Sequence, residues 1–251
     1  MSDSLSLPTM KYASVDPATC DLRVDVASVA ANCSVFIATP SHGRVTMEYT
    51  ASMVRQAEYL HKCSISYQYY LHGGNSLIDF ARNLCVAEFM LSSCTHLLFI
   101  DDDLEWNERE LVKMLAIGVP ILGATYGKKN GKEMAHQPKE GPKKRMFGCT
   151  EAKALPTGFL LLERGVFEHI AKARPDLKFK YRDERINPWT YAFFKTRMDA
   201  DGWQGEDYFF CELAEECGFE IWLDYIHKIH HIGPFAYPPV PAARNVITYG
   251  S

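Results

Sequence analysis

No Cys-x-x-Cys pair occurs among the eight cysteines at 20, 33, 63, 85, 94, 149, 211 and 217, so their spacing offers neither a zinc site nor a disulfide framework. Several lie within apolar runs, and buried free thiols in a reducing compartment are expected. No apolar run reaches the ~18 residues of a membrane span. The first thirty residues hold no basic segment leading into an apolar core, so no secretory signal is expected. Positive charge is not in excess. Lys and Arg number 27 against 31 Asp and Glu, giving a net charge of -4 and a pI near 6.1. That balance argues against indiscriminate nucleic-acid binding but leaves room for a local basic patch. A glycine-rich, lysine-bearing phosphate loop is missing, as are internal repeats, a coiled coil and a linker between two domains. The expectation left by these absences is a soluble cytoplasmic protein.

What is present is 251 residues, 47% of them hydrophobic, enough to bury a sizeable core as one domain. Residues 1–31 are weakly patterned and read as an N-terminal extension, with the domain spanning 32–251. Cys33 to Pro40 reads as a buried strand stopped by proline. From Val45 to His61 the set Met47, Thr50, Ala51, Val54, Ala57 and Leu60 recurs at helical spacing. A Tyr- and Ile-rich strand follows over Ser64–Leu71, then a helix from Ser76 to Leu91 with Asn75 or Ser76 as its cap. Strand His96–Ile100, a helix from Asn107 to Ile117 and a strand from Val119 to Tyr126 continue the alternation. That alternation is the signature of a mostly parallel sheet flanked by helices, an α/β fold.

Residues 127–150 change character, carrying seven cations against Glu133 and Glu140 with four glycines between; so long a loop reads as a lid or a disordered segment. Leu155–Leu162 turns into a strand, and Arg164–Ala173 reads as a helix. An irregular stretch follows with a short strand at Tyr191–Lys195. Beyond it come a helix from Gly205 to Cys217, strands at Phe219–Leu223 and Ile226–His231, and a proline-rich tail.

The chemistry concentrates where the apolar run His96–Ile100 drives into Asp101, Asp102 and Asp103. Ligands of α/β sheets gather beyond the carboxyl ends of such strands. Adjacent aspartates repel one another, so a fold that places them there is expected to supply a cation, and hard oxygen ligands suit Mg²⁺ or Mn²⁺ bridging phosphates. A solvated acidic turn before a helix is the plainer alternative.

Four features therefore sit at strand ends or helix starts: Thr39-Pro40, the acidic triplet, Glu206-Asp207 and His230-His231. With Ala81-Arg82-Asn83 and Thr157-Gly158-Phe159, this ordered series resembles the GT-A glycosyltransferases, more narrowly inverting family-2-type enzymes and their viral and phage relatives. The resemblance covers roughly residues 33–235 and implies a single Rossmann-like GT-A domain. Its nucleotide-sugar half would span about 32–126 and its acceptor half about 150–235.

By the same resemblance, Asp103, last of a DXD-type triplet, and His231 would hold the metal, with His230 as competitor. Thr39, Pro40, Arg82, Asp101, Asp102, Thr157, Gly158 and Phe159 would meet the nucleotide sugar, favoured as UDP-hexose. Asp207, with Glu206 second, would take the acceptor's proton. Each has a plainer reading as well: a strand stop for Pro40, a surface ion pair for Arg82, a bulge for Gly158, and charge complementarity at a helix N-terminus for the acid pair. The acceptor would be a glycan or a hydroxymethylated pyrimidine in DNA, a viral type of DNA modification in host cytoplasm. A nucleotidyltransferase, or a non-catalytic nucleotide or nucleic-acid binding module using the basic loop, stand as the competing readings.

Overall fold

The structure, a computed structural model, describes residues 10–16, 21–141, 143–200, 202–226, 229–234 and 236–237. Its centre is a sheet whose seven principal strands are β1 (Ser34–Ser41), β2 (Ser66–Gly73), β3 (His96–Ile100), β4 (Ile121–Ala124), β5 (Cys149–Ala154), β6 (Phe159–Glu163) and β7 (Trp222–Asp224). They lie in the order β2-β1-β3-β6-β4-β7-β5, with the two-residue strand Gln137–Pro138 beyond β5. β1, β2, β3, β4 and β7 all run one way; β6 and β5 oppose them. The expected α/β architecture with a mostly parallel sheet is what the chain forms.

Among the described residues, six α-helices flank the sheet: α1 (Val26–Asn32), α2 (Met47–Lys62), α3 (Ile78–Leu91), α4 (Glu110–Ile117), α5 (Arg164–Ala173) and α6 (Glu206–Glu216). Side-chain alternation along the strands divides the core between two faces. Phe36 and Ala38 of β1 and Leu97 and Phe99 of β3 face α3, α5 and α6. Val35, Ile37, Leu98 and Ile100 face α1, α2 and α4. The central strands β3, β4 and β6 read as continuous apolar runs because both of their faces are buried. A fully buried aromatic such as Phe99, packed edge-on to Phe194, contributes about 1.5–3 kcal/mol.

Several sequence expectations need correction. β1 does not stop at Pro40, which stays in the ladder opposite His72. Pairing with β3 has ended by then, at Ala38, so the missing N–H is needed by one neighbour at most. Neither Asn75 nor Ser76 caps α3. Leu77 occupies the cap position without a side-chain bond, while Asn75 Oδ1 accepts the Leu77 N–H in the preceding turn. Tyr191–Lys195 is not a strand: only Tyr191 bridges to Lys178, and Phe193 and Phe194 plug the core, with Phe194 stacked 4.7 Å from Phe210. The long basic loop holds two strand fragments, Gln137–Pro138 and Arg145–Met146, that pair with β5 at its end. Before α1, Ala13–Val15 and Leu22–Val24 form a hairpin, and Asp25 caps α1 by accepting the Ser28 N–H at 3.0 Å.

Seven cysteines are free among the described residues; Cys33, Cys85, Cys94, Cys149 and Cys211 are buried, and Cys20 lies outside those residues. The tail from 238 onward also lies outside them. No helix among the described residues is long and apolar enough to cross a membrane.

Candidate functional site

Strand direction gathers the candidate residues at one edge of the sheet. β1 and β3 are parallel neighbours, so their carboxyl ends, Pro40 and Asp101–Asp103, emerge side by side. β6 is antiparallel to β3 with Phe159 opposite Ile100, so its beginning, Thr157-Gly158, arrives at the same edge, where the Asp101 N–H donates to the Gly158 carbonyl at 2.9 Å. The end of β4 brings Tyr126 and Gly127, and the first turns of α3 bring Arg82. The resulting cleft is lined by Pro40, Asn75, Arg82, the three aspartates and His231, with Ser41, His42, Ile78 and Ala81 around them.

Arg82 is buried and joins the two halves of the site. Its guanidinium lies 3.2 Å from Asp101 Oδ1 and 2.7 Å from Glu206 Oε1. Burial opposes its charge, but Asp101, Glu206 and Asp207 outweigh that and hold it firmly protonated. It is therefore no surface ion pair. Asp101 is pushed above the usual carboxylate range by burial, with Arg82 acting against the rise and Asp103 and Asp102 adding to it. Gly158 is required by this crowding: a Cβ there would lie 2.1 Å from the Tyr126 hydroxyl and 2.8 Å from Asp101 Oδ2.

Asp103 and His231 meet across the cleft, His231 Nε2 lying 3.3 Å from Asp103 Oδ2. The strand His230–Ile232 pairs antiparallel with Leu104–Glu105, which fixes this approach. Alternation along it turns His230 the other way, with Nδ1 3.1 Å from Glu105 Oε2. Of the two histidines, it is His231 that faces the acidic triplet. Its Nδ1 lies 3.2 Å from the Gly127 carbonyl, and since a carbonyl only accepts, Nδ1 carries the proton and donates. Nε2, the nitrogen not engaged by that carbonyl, is the one that faces the Asp103 carboxylate.

Two donors placed cis around an octahedral ion with ~2.1 Å bonds are about 3 Å apart, close to the spacing seen. An imidazole whose other nitrogen donates to a backbone carbonyl is also how ligating histidines are commonly oriented. The pair fits a hard divalent cation. No group of three His, Cys, Asp or Glu side chains converges on one point among the described residues, so such an ion would draw the rest of its shell from substrate and water. Burial raises the Asp103 carboxyl, but hydrogen bonds from His231 and Lys129 outweigh it and leave the group below the usual range.

Glu206 and Asp207 open α6 after Gly205. They differ in what holds them. Glu206 is engaged by Arg82. Asp207 accepts the Tyr208 N–H through Oδ1 at 2.9 Å, and burial together with the Glu206 charge pushes its carboxyl up to about 6. Its pKa is thus suited to accept a proton near neutral pH.

The remaining predicted residues divide. Pro40 and Asp102 line the cleft. Thr39 is fully buried with its hydroxyl 2.6 Å from that of Tyr49, and the Phe159 ring belongs to the core beside Trp106. Thr157 is buried and its hydroxyl has no hydrogen-bond partner among the described residues. Asn83 acts at a distance from the cleft, exchanging two hydrogen bonds with the Phe194 backbone.

Sequence reasoning missed Tyr126, whose ring stands edge-on to His231 at 5.1 Å and whose hydroxyl abuts Gly158. An aromatic with a polar tip at the end of an apolar strand was the available signal. It also missed the pairing of the basic loop: Lys128 with Glu133, Lys129 with Asp103, Lys139 with Glu151 and Lys144 with Glu220.

No family model and no curated protein matches the sequence. Among solved structures, the chain is similar to a glycosyltransferase involved in the glycosylation of the major capsid of PBCV-1, at 13% identity over 59% of this chain and 68% of that one, TM-score 0.36. It is also similar to S. aureus TarS 1-349 in complex with UDP-GlcNAc, at 13% identity over 82% of this chain and 58% of that one, TM-score 0.44. A 4-diphosphocytidyl-2C-methyl-D-erythritol synthase from Anaerococcus prevotii matches at 10% identity over 62% and 81%, TM-score 0.32. Likeness this distant carries no functional weight beside the geometry of the cleft.

Proposed function

We propose that the protein is a metal-dependent inverting glycosyltransferase, moving a sugar from a nucleotide-sugar donor, UDP-hexose in the favoured case, to a hydroxyl acceptor. The observation that carries the reading is a division of labour at one strand edge. The Asp103–His231 pair offers donor atoms to a cation, while Asp207, separated from it by the Arg82 bridge, is kept as a weak base. A bound Mg²⁺ or Mn²⁺ would neutralise charge growing on the departing diphosphate.

The chain's own residues supply the rest. Asp207 takes the proton of the acceptor hydroxyl as that oxygen bonds to the anomeric carbon from the face opposite the nucleotide. The bond from that carbon to the diphosphate oxygen breaks, its electron pair leaving with the nucleoside diphosphate, and the configuration inverts. Arg82 holds Asp101 and Glu206 in place, so the acid pair on α6 keeps a fixed relation to the donor cleft.

A saccharide acceptor is favoured over modified DNA for two reasons. Four lysines of the basic loop are neutralised within the chain, which weakens the case for a polyanion track. Trp203, 76% exposed, stands on the Arg197–Asp199/Gly202–Gln204 hairpin directly before α6, where an aromatic face can stack on a sugar ring. The test is a panel of sugar nucleotides with and without Mn²⁺, reading released nucleoside diphosphate, then repeated with glycan and hydroxymethylated-DNA acceptors. One donor turned over only with metal, at a rate raised by a glycan, is expected. Binding of nucleotide without turnover of any donor would replace the enzyme by a binding module. Pyrophosphate release from a nucleoside triphosphate would indicate a nucleotidyltransferase.

A further inference from the structure

The cation site already holds a positive charge of the chain's own. Lys129 Nζ lies 2.5 Å from Asp103 Oδ2, the same oxygen that faces His231 Nε2. Its position is built rather than incidental. Lys128–Gly131 is a tight turn, closed by the Gly131 N–H donating to the Lys128 carbonyl at 2.9 Å, with Gly131 in the left-handed region at φ +65°. The Gly127–Met134 bridge closes the base of the turn, and Asn130 Oδ1 accepts the N–H groups of both Lys132 and Glu133. Of the two adjacent lysines, Lys128 is spent on Glu133 at 2.9 Å, which leaves Lys129 directed at the cleft. The same loop supplies the Gly127 carbonyl that orients His231.

From this geometry we infer that Lys129 is a tethered competitor for the divalent cation. Its ammonium neutralises Asp103 and must leave before a metal ion can take that oxygen. The inference rests on the proposed cation site. An ammonium and a divalent ion cannot share one carboxylate oxygen at bonding distance without strong repulsion, so the two occupancies exclude each other. Arg82 already compensates Asp101, and Lys129 does the same for Asp103 until a cation replaces it, at a cost in metal affinity. The released ammonium then lies beside the cleft, where a diphosphate brings new negative charge.

The test is Mn²⁺ binding, followed by loss of the free-ion paramagnetic resonance signal, with and without UDP. The proteins are the full chain, Lys129→Met, Lys129→Arg and Asp103→Asn. Removal of one competing charge at a partly buried pair should tighten Mn²⁺ binding to Lys129→Met in the absence of UDP on the order of five- to tenfold. Lys129→Arg, which keeps the charge, should bind like the parent, and Asp103→Asn should lose binding. Equal or weaker Mn²⁺ binding by Lys129→Met, with Asp103→Asn still defective, would overturn the competition while leaving the cation site standing. No Mn²⁺ binding by any of the four, with or without UDP, would overturn both and make Lys129 a permanent counter-charge.

Discussion

Asp207 carries opposite consequences for activity and for stability. Its carboxyl is pushed up to about 6 by burial first and the Glu206 charge second. In the proposed role of base it must be ionised, so kcat should rise with pH through about 6 and level above it. Stability runs the other way. The folded state holds a proton between the ordinary aspartate value and about 6 that the unfolded chain has released, so unfolding free energy should fall as pH rises across that window. The drop is on the order of 2 kcal/mol after discounting for partial exposure. Asp207→Asn should remove both effects: kcat falling by about 10²–10⁴ with donor binding retained, and a flatter denaturation profile between pH 4 and 6. A variant that kept the acid limb of the rate profile would exclude Asp207 as base.

At the scale of elements, the start of β6 is the tightest constraint. Gly158 sits where Tyr126 and Asp101 leave no room for a methyl group. Gly158→Ala should cost about 1–3 kcal/mol in chemical denaturation, as overpacking does. It should also displace Asp101 and so reduce turnover more than its stability loss explains. Legibility in the sequence followed burial chemistry. α5 was readable to the residue because Val166, Phe167, Ile170 and Ala171 keep helical spacing on a polar background. β3 and β6 were readable because both of their faces are apolar. β5 was hidden, since its buried Glu151 takes the Lys144 N–H at 2.7 Å and Lys139 Nζ at 3.2 Å, pairings that a hydrophobicity pattern cannot show. The hairpin and α1 were hidden for a related reason: short elements with only Val29 fully inside have almost no periodicity to read. In the cleft the residue types were legible, but their division was not. That His231 faces Asp103, that Glu206 is held by Arg82 and that Lys129 closes on the triplet all depend on strand pairing over more than a hundred residues of separation or on loop geometry.

For the molecule as a whole, the sheet decides what is shared between the two faces. β1, β3 and β6, which end or begin at the cleft edge, are buried on both sides, so the cleft stands on a protected part of the chain while the lysine-bearing turn beside it is exposed. The five buried thiols are distributed through that same interior, Cys85 and Cys211 on helices of one face and Cys33 and Cys149 toward the other. Burial raises the pKa of each. Only Cys63 and Cys217 are partly open among the described residues.

The interior thus contains a stopwatch. A maleimide added to the native protein should tag Cys63 and Cys217 within minutes, whereas the five buried thiols should react only as fast as their surroundings breathe open. Peptide-resolved mass spectrometry would then time each face of the sheet separately. A single shared rate would mean that both halves come apart in one event; two rates would identify the half that loosens first.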